Sequence, residues 1–151
     1  MKNVSKSEIL DNCLSTVTLR YKALQDDLKS IQNDIASETK SSAGDKYETS
    51  REMMNQEKNK LMDQIAQLKV QENALKKIDP KSRYNKVQFG ALITTNKGLY
   101  FMSVPLGKIN VEDLSVFVIS MNSPIGKAMS GLKKNADFKW QSDTIKITDL
   151  Y

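Results

Sequence analysis

Apolar residues early in the chain recur at alternating gaps of four and three: Leu10, Leu14, Val17, Tyr21, Leu24, Leu28, Ile31 and Ile35. That spacing is an unbroken a/d heptad seam, the mark of a helix that buries one stripe against another helix. A second run follows, with Tyr47, Met54, Leu61, Leu68 and Leu75 seven residues apart. Its alternate seam positions hold Arg51, Lys58, Ile65 and Glu72, so this seam is half polar. Neither Gly nor Pro interrupts 8–40 or 46–79, and the pattern predicts a long helix over each span.

The two runs pair best as an antiparallel hairpin. Leu10 with Leu75, Val17 with Leu68, Leu24 with Leu61 and Ile31 with Met54 all have position numbers adding to 85. The centre of that symmetry falls between Ser42 and Ala43, inside the stretch 41–48 where the heptad lapses, so the hairpin predicts its own tip. A parallel dimer would have to carry the seam across that lapse. A coiled coil used only for dimerisation or as a structural adaptor is the competing reading. Gly44 suits the left-handed conformation of a tight turn. It places Asp45 at the start of the second helix, with Glu48 three residues on.

Two readings of Asp45 and Glu48 stand side by side. Asp-x-x-Glu at a helix start forms a capping box, and the helix dipole favours both carboxylates. Equally, two carboxylates on one turn at an apex can supply ligands to Mg²⁺, which keeps several waters and takes one or two protein carboxylates. Such a pair completes a site whose remaining ligands come from a partner.

Pro80 ends the helical pattern, and 79–83 forms a linker, dividing the chain into an arm over 1–79 and a second domain over 80–151. In the second domain 87–95 predicts a strand, Asn96-Lys97-Gly98 a hairpin turn, and 99–104 a second strand closed by Pro105-Leu106-Gly107. Residues 114–120 predict a buried strand. Ser123-Pro124 opens a short helix to Met129, with Ser as N-cap and Pro at the first helical position. Segments 138–141 and 144–150 complete a small antiparallel sheet, giving an α+β domain of about 70 residues, enough for one core. Tyr100, Phe101, Phe117, Phe138 and Trp140 are expected in that core. Lys133-Lys134 is expected on a solvated surface, and Gly126-Lys127 lacks phosphate-loop spacing.

Composition excludes several kinds of chemistry. There is no histidine and a single cysteine, Cys13, so Ser-His-Asp and Cys-His catalysis, internal disulfides and Cys/His metal sites are ruled out within the chain. No apolar run approaches the roughly 20 residues of a membrane span, and the first residues lead into no signal-peptide core, so a cytoplasmic location is expected. The net charge of +5 is uneven: 1–79 holds 13 Lys+Arg against 13 Asp+Glu, and 80–151 holds 10 against 5. The excess favours an acidic surface or nucleic acid as a neighbour of the second domain, and equally describes a soluble basic surface.

The hairpin, the tip Gly44-Asp45-Lys46-Tyr47-Glu48 and the later segment Ser123-Pro124-Ile125-Gly126-Lys127-Ala128 together resemble the bacterial Gre transcript-cleavage factors, over nearly the whole chain. The tip is similar to the family's Gly-Asp-x-x-Glu, and the later segment to its Ser-Pro-x-Gly-x-Ala signature. The resemblance implies an FKBP-like second domain that docks at the rim of the RNA polymerase secondary channel, with the coiled coil extending down it. It implies that Asp45 and Glu48 complete the polymerase active site by helping to hold a shared catalytic Mg²⁺, bound only when docked. Backtracked RNA is then cleaved at its nascent 3′ end; the factor acts as a monomer and is not itself an enzyme. The chain departs from the family after the tip, where Thr49-Ser50-Arg51-Glu52 replaces Asn-Ala-Glu-Tyr. It departs again at Lys134-Asn135-Ala136-Asp137, where Lys-x-Gly-Asp is usual. Relatives of the same architecture regulate polymerase from the channel without stimulating cleavage, which is the alternative the resemblance carries.

Overall fold

The computed structural model describes the backbone of residues 4–38 and 44–151, and the side chains of 4–37 and 48–151. Residues 41–43 of the expected tip, and the side chains of Asp45 and Tyr47, lie outside the described residues. Two long helices, α1 (Lys6–Glu38) and α2 (Gly44–Lys76), precede the strands β1 (Leu92–Thr95), β2 (Gly98–Met102), β3 (Gly107–Val111) and β4 (Leu114–Ile119). A short helix α3 (Pro124–Met129) and the strands β5 (Asp137–Trp140) and β6 (Asp143–Leu150) follow. The chain is therefore α+β, as its two periodicities predicted. Compactness divides it into 16–72 and a larger unit of 1–15 with 73–151. Composition shifts at Pro80, whereas compactness assigns the lower turns of both helices to the larger unit.

In the smaller unit the heptad seam is visible as burial. Val17, Leu61 and Leu68 are buried, while Tyr21, Leu24, Leu28, Ile31, Ile35, Met54, Lys58 and Ile65 are half-buried between exposed neighbours. Arg51, expected on the seam, is exposed. The pairing is antiparallel. Arg20, Ala23 and Leu24 share a shallow depression with Gln64, Gln67, Leu68 and Gln71, and the Lys69 ammonium lies 5.7 Å from the Tyr21 ring centroid. Nearer the start of α1, within the larger unit, Lys6 Nζ donates to the Ser82 carbonyl at 2.9 Å. Rising numbers along α1 thus meet falling numbers along its partner. Each helix has 33 residues and is about 50 Å long at roughly 1.5 Å per residue.

Local chemistry sets the helix ends. Ser5 Oγ accepts from the Glu8 amide at 3.1 Å and donates to the Glu8 carboxylate at 3.3 Å, so α1 starts on a serine N-cap. Beyond α2 the chain tightens, with Lys77 N donating to Ala74 O and Ile78 N to Leu75 O. Asp79 Oδ1 then accepts from the Lys81 amide at 2.9 Å and turns the chain through Pro80. These bonds end α2 three residues before the predicted limit at Asp79.

The larger unit carries a six-stranded sheet in the order β3-β4-β2-β1-β6-β5. It is mixed rather than antiparallel as expected, because β2 and β4 run parallel, Leu99 opposite Val116 and Phe101 opposite Val118. The cause is β3, a strand that the pattern of the sequence did not predict. Its short alternation buries Ile109 and Val111, reaches the edge of the sheet beside β4, and returns through Glu112-Asp113 with Glu112 at φ 55°. Parallel strands need such a crossover. The predicted strand from Val87 starts only at Leu92, because Gly90 takes φ 91° and breaks the extension. Val87 instead exchanges backbone bonds with Gly131 and Leu132.

Strand alternation divides the burial between two faces. On one face Ile93, Tyr100, Met102, Phe138, Ile145 and Ile147 form a cluster with Val87, Ala91 and Met129, and the Tyr100 and Phe117 rings stack at 5.4 Å. Of the aromatics expected in the core, Phe101, Tyr100 and Phe138 are buried, and Phe117 and Trp140 half-buried. Phe101 lies on the opposite face with Leu92, Val116 and Val118, all buried. The same compact unit buries Ile9, Leu10 and Cys13 of α1 together with Leu75 and Ile78, and Asn12 Nδ2 donates to the Asn110 carbonyl of β3. Lys6 is buried among these turns, its ammonium 4.6 Å from the Tyr84 ring; desolvation lowers its pKa against the attraction of Asp79.

Burial pushes the Cys13 thiol up to about 12 from an ordinary 9.0. The thiolate is the nucleophile, so native Cys13 is expected to resist iodoacetamide at pH 8 and to react fully once the chain is unfolded. Between pH 9 and 12 the unfolded state binds fewer protons at this site than the native state, so stability falls as pH rises through that window. A Cys13→Ala variant should show a shallower fall in thermal midpoint across it. An equal fall in both proteins would remove Cys13 as the cause.

Candidate functional site

The candidate acidic site is the first turn of α2. The helix begins at Gly44, so Gly44 belongs to the helix and not to the turn ahead of it, and Asp45 is its second residue. Asp45 and Glu48 are three positions apart on continuous helical backbone, which puts them on one face within one turn. The Glu48 side chain is exposed, as are those of Thr49, Arg51 and Glu52 that follow it. An exposed carboxylate is open to approach, so it can ligate a cation offered by another surface.

Mg²⁺, the ion implied by the family resemblance, was tested against these groups. Among the described residues no three Asp, Glu, Cys or His side chains group closely enough to hold a metal ion. Glu48 can contribute a ligand to a site built elsewhere. The described groups do not make a site unaided.

The Ser-Pro-x-Gly segment is built differently. Ser123 sits at φ −68°, ψ 155° ahead of α3; its Oγ accepts from the Gly126 amide at 3.0 Å and donates to the Ser120 carbonyl at 2.6 Å. Gly126 is buried hard against that carbonyl: a Cβ there would overlap Ser120 O and stand 2.9 Å from Ser123 Oγ. The four residues are thus a cap and a close approach of two backbones. Around them Phe117, Ile119, Met121 and Ile125 are half-buried against the core cluster, leaving apolar surface on that face. Gly131 and Asn135, at φ 77° and 74°, turn the chain after α3. Asn tolerates the left-handed region, so the departure from Lys-x-Gly-Asp is accommodated one residue ahead of the missing glycine.

Sequence reasoning missed the cluster at the end of β6. Tyr151 Oη donates to Asp149 at 2.7 Å, and the Lys134 ammonium, on the solvated surface as expected, lies 3.7 Å from the same carboxyl group. The Tyr151 hydrogen bond, first, and then the Leu150 amide hold the Asp149 carboxyl below its ordinary pKa, while that hydrogen bond raises the tyrosine's. Asp149 and Tyr151 are only two residues apart, whereas Lys134 and Arg83, which complete the cluster, come from distant segments that no spacing rule joins to them. Charge also follows the compact units: 1–15 with 73–151 holds 14 Lys+Arg against 8 Asp+Glu, and 16–72 holds 9 against 10. No helix among the described residues is long and apolar enough to cross a membrane.

No family model matches the chain, and no curated protein matches it. Among solved structures it is similar to the transcription factor Gfh1, at 15% identity and a TM-score of 0.38, over 93% of this chain and 94% of that one. It is similar also to GreA factor homolog 1 of Thermus thermophilus, at 17% identity and a TM-score of 0.35, over 87% of this chain and 94% of that one.

Proposed function

We propose that the protein is a Gre-like transcription elongation factor that binds RNA polymerase and inserts its helical hairpin into the secondary channel. There it stimulates Mg²⁺-dependent cleavage of backtracked RNA. The observation that carries this reading is the acidic first turn of α2, with Asp45 and Glu48 on one helical face at the loop end of an antiparallel pair. A two-helix stalk with a half-polar seam buries little surface for its length, which makes it a means of reach. In this reading the two carboxylates supply ligands to a metal whose other ligands belong to the polymerase, and the metal supplies two-metal phosphodiester hydrolysis. The protein is then a monomeric cytoplasmic factor and not itself an enzyme, and the basic larger unit is the docking half.

A second reading, a channel-binding regulator that does not stimulate cleavage, is favoured by Thr49-Ser50-Arg51-Glu52. An exposed Arg51 one turn from the acids offers a competing countercharge. The separating experiment adds the wild-type chain to purified, backtracked elongation complexes in Mg²⁺ and follows RNA shortening. Cleavage is expected to accelerate at least about 100-fold, equal to roughly 2.7 kcal/mol of barrier. Binding without acceleration assigns the regulator reading, and no binding to polymerase sinks both.

A further inference from the structure

Sheet alternation leaves the face opposite the core cluster covered over β2 and β4 but bare over β6 and β5. Thr144, Lys146 and Thr148 of β6 and Asp137 and Lys139 of β5 are all exposed. Where cover gives way to bare sheet lies a groove of about 1080 Å³, crossing the strands. Its floor is Leu114, Leu99, Leu92, Thr94 and Thr148, and its wall is Ser5, Lys6 and the linker 80–83. All of these residues belong to the larger unit.

We propose that this groove, continued over the bare strands, is a track for single-stranded nucleic acid. The groove is open and runs across four neighbouring strands, β4, β2, β1 and β6, a shape that suits an extended polymer. Lys81 and Arg83 stand exposed on the wall. Lys146 is two residues along β6 from the groove-lining Thr148, about 7 Å, and Lys139 is on the next strand, opposite Thr144. Lys146 and Lys139 outnumber the one acid on the bare face of those strands, Asp137 opposite Lys146, so positive charge continues from Lys81 and Arg83 across the sheet, as a phosphodiester backbone requires. The acids Glu112 and Asp113 of the β3–β4 turn close the other end of the groove, which gives the track its direction. Asp149, the third acid in the lining, is engaged by Tyr151 Oη and Lys134 and presents less free charge. Tyr151 is 37% exposed, with the Arg83 guanidinium 5.6 Å from its ring centroid; together they offer flat surfaces on which a base can stack. The inference stands apart from the polymerase reading, since it uses neither the tip nor the helix pair.

The test is fluorescence anisotropy of the full chain with labelled oligouridine RNA and with oligothymidine DNA, over a range of salt concentrations. Both are expected to bind, with affinity falling steeply as salt rises. Arg83→Glu/Lys146→Glu should lose at least about 10-fold and lower the log–log salt slope by about 1.4, two phosphate contacts at roughly 0.7 each. Lys108→Glu/Lys127→Glu changes the net charge equally on exposed residues at the core-cluster face and should lose less than about 3-fold. Tyr151→Ala should weaken binding about 5-fold or more while leaving the slope unchanged, because stacking releases no counterions. Absence of salt-dependent binding overturns the proposal, and so does equal loss from the two charge-reversed pairs. Should Arg83→Glu/Lys146→Glu misfold, Lys146→Gln alone carries the same comparison.

Discussion

The Asp45→Ala/Glu48→Ala variant is expected to bind polymerase within about 3-fold of wild type and to lose all acceleration of transcript cleavage. A ligand to a catalytic metal acts on charge that develops in the transition state, where stabilisation is worth several kcal/mol and each 1.4 kcal/mol is roughly tenfold in rate. The loss should therefore be about 100-fold or more. The rival role predicts something else. Carboxylates that only cap α2 contribute about 0.3–1 kcal/mol each through the helix dipole, or roughly 1 kcal/mol through a cap. Their removal would then lower helicity and thermal midpoint slightly and leave cleavage nearly intact. Circular dichroism and the cleavage assay on the same variants separate the two. Asp45→Asn/Glu48→Gln sharpens the comparison, since the amides keep the shape and local hydrogen bonding of the acids but are poor Mg²⁺ ligands. Cleavage retained in that variant would sink the metal role.

Gly126→Ala is expected to be the most damaging single methyl group in the larger unit. The added Cβ would overlap the Ser120 carbonyl and press on Ser123 Oγ, so both the cap of α3 and the turn into it must move. Overpacking costs about 1–3 kcal/mol and a lost cap about 1 more, so roughly 2–4 kcal/mol is expected. At about 4–8 °C per kcal/mol for a domain of this size, the thermal midpoint falls by on the order of 10–30 °C. Ser123→Ala, which removes only the cap, should cost about 1 kcal/mol. A Gly126→Ala protein as stable as wild type would show that the two backbones do not approach as described. The prediction also gives the Ser-Pro-x-Gly pattern a structural cause: glycine is needed because a carbonyl occupies the space of its Cβ.

Sequence and structure agree where the deciding interactions are local or strictly periodic. The heptad spacing determined two helices, their antiparallel pairing and the seam residues, because a 3.5-residue repeat permits burial on one stripe only. Pro80 and the hydrogen-bonding side chains of Ser123 and Asp79 determined breaks and caps within a turn of their positions. A hairpin turn joins β1 and β2 where it was expected, tightened to Asn96-Lys97 because Gly98 pairs with Thr95 as the first residue of β2. Asp45 and Glu48 were legible as a pair because helical spacing alone puts them on one face.

What the tertiary structure decided was non-local. Ile109 and Val111 are too short a signal to claim a strand, and β3 exists because β4 offers it an edge. That added strand makes the connection from β2 to β4 a crossover and turns an antiparallel sheet into a mixed one. Ser82 and Tyr84 beside Lys6, Lys134 beside Asp149 and Arg83 beside Tyr151 come from chain segments that only folding brings together. The lower turns of α1 and α2 bury Ile9, Cys13, Leu75 and Ile78 in the larger unit because the two-helix seam covers each of them on one side only. The rest of their apolar surface has to be removed from water by the remainder of that unit.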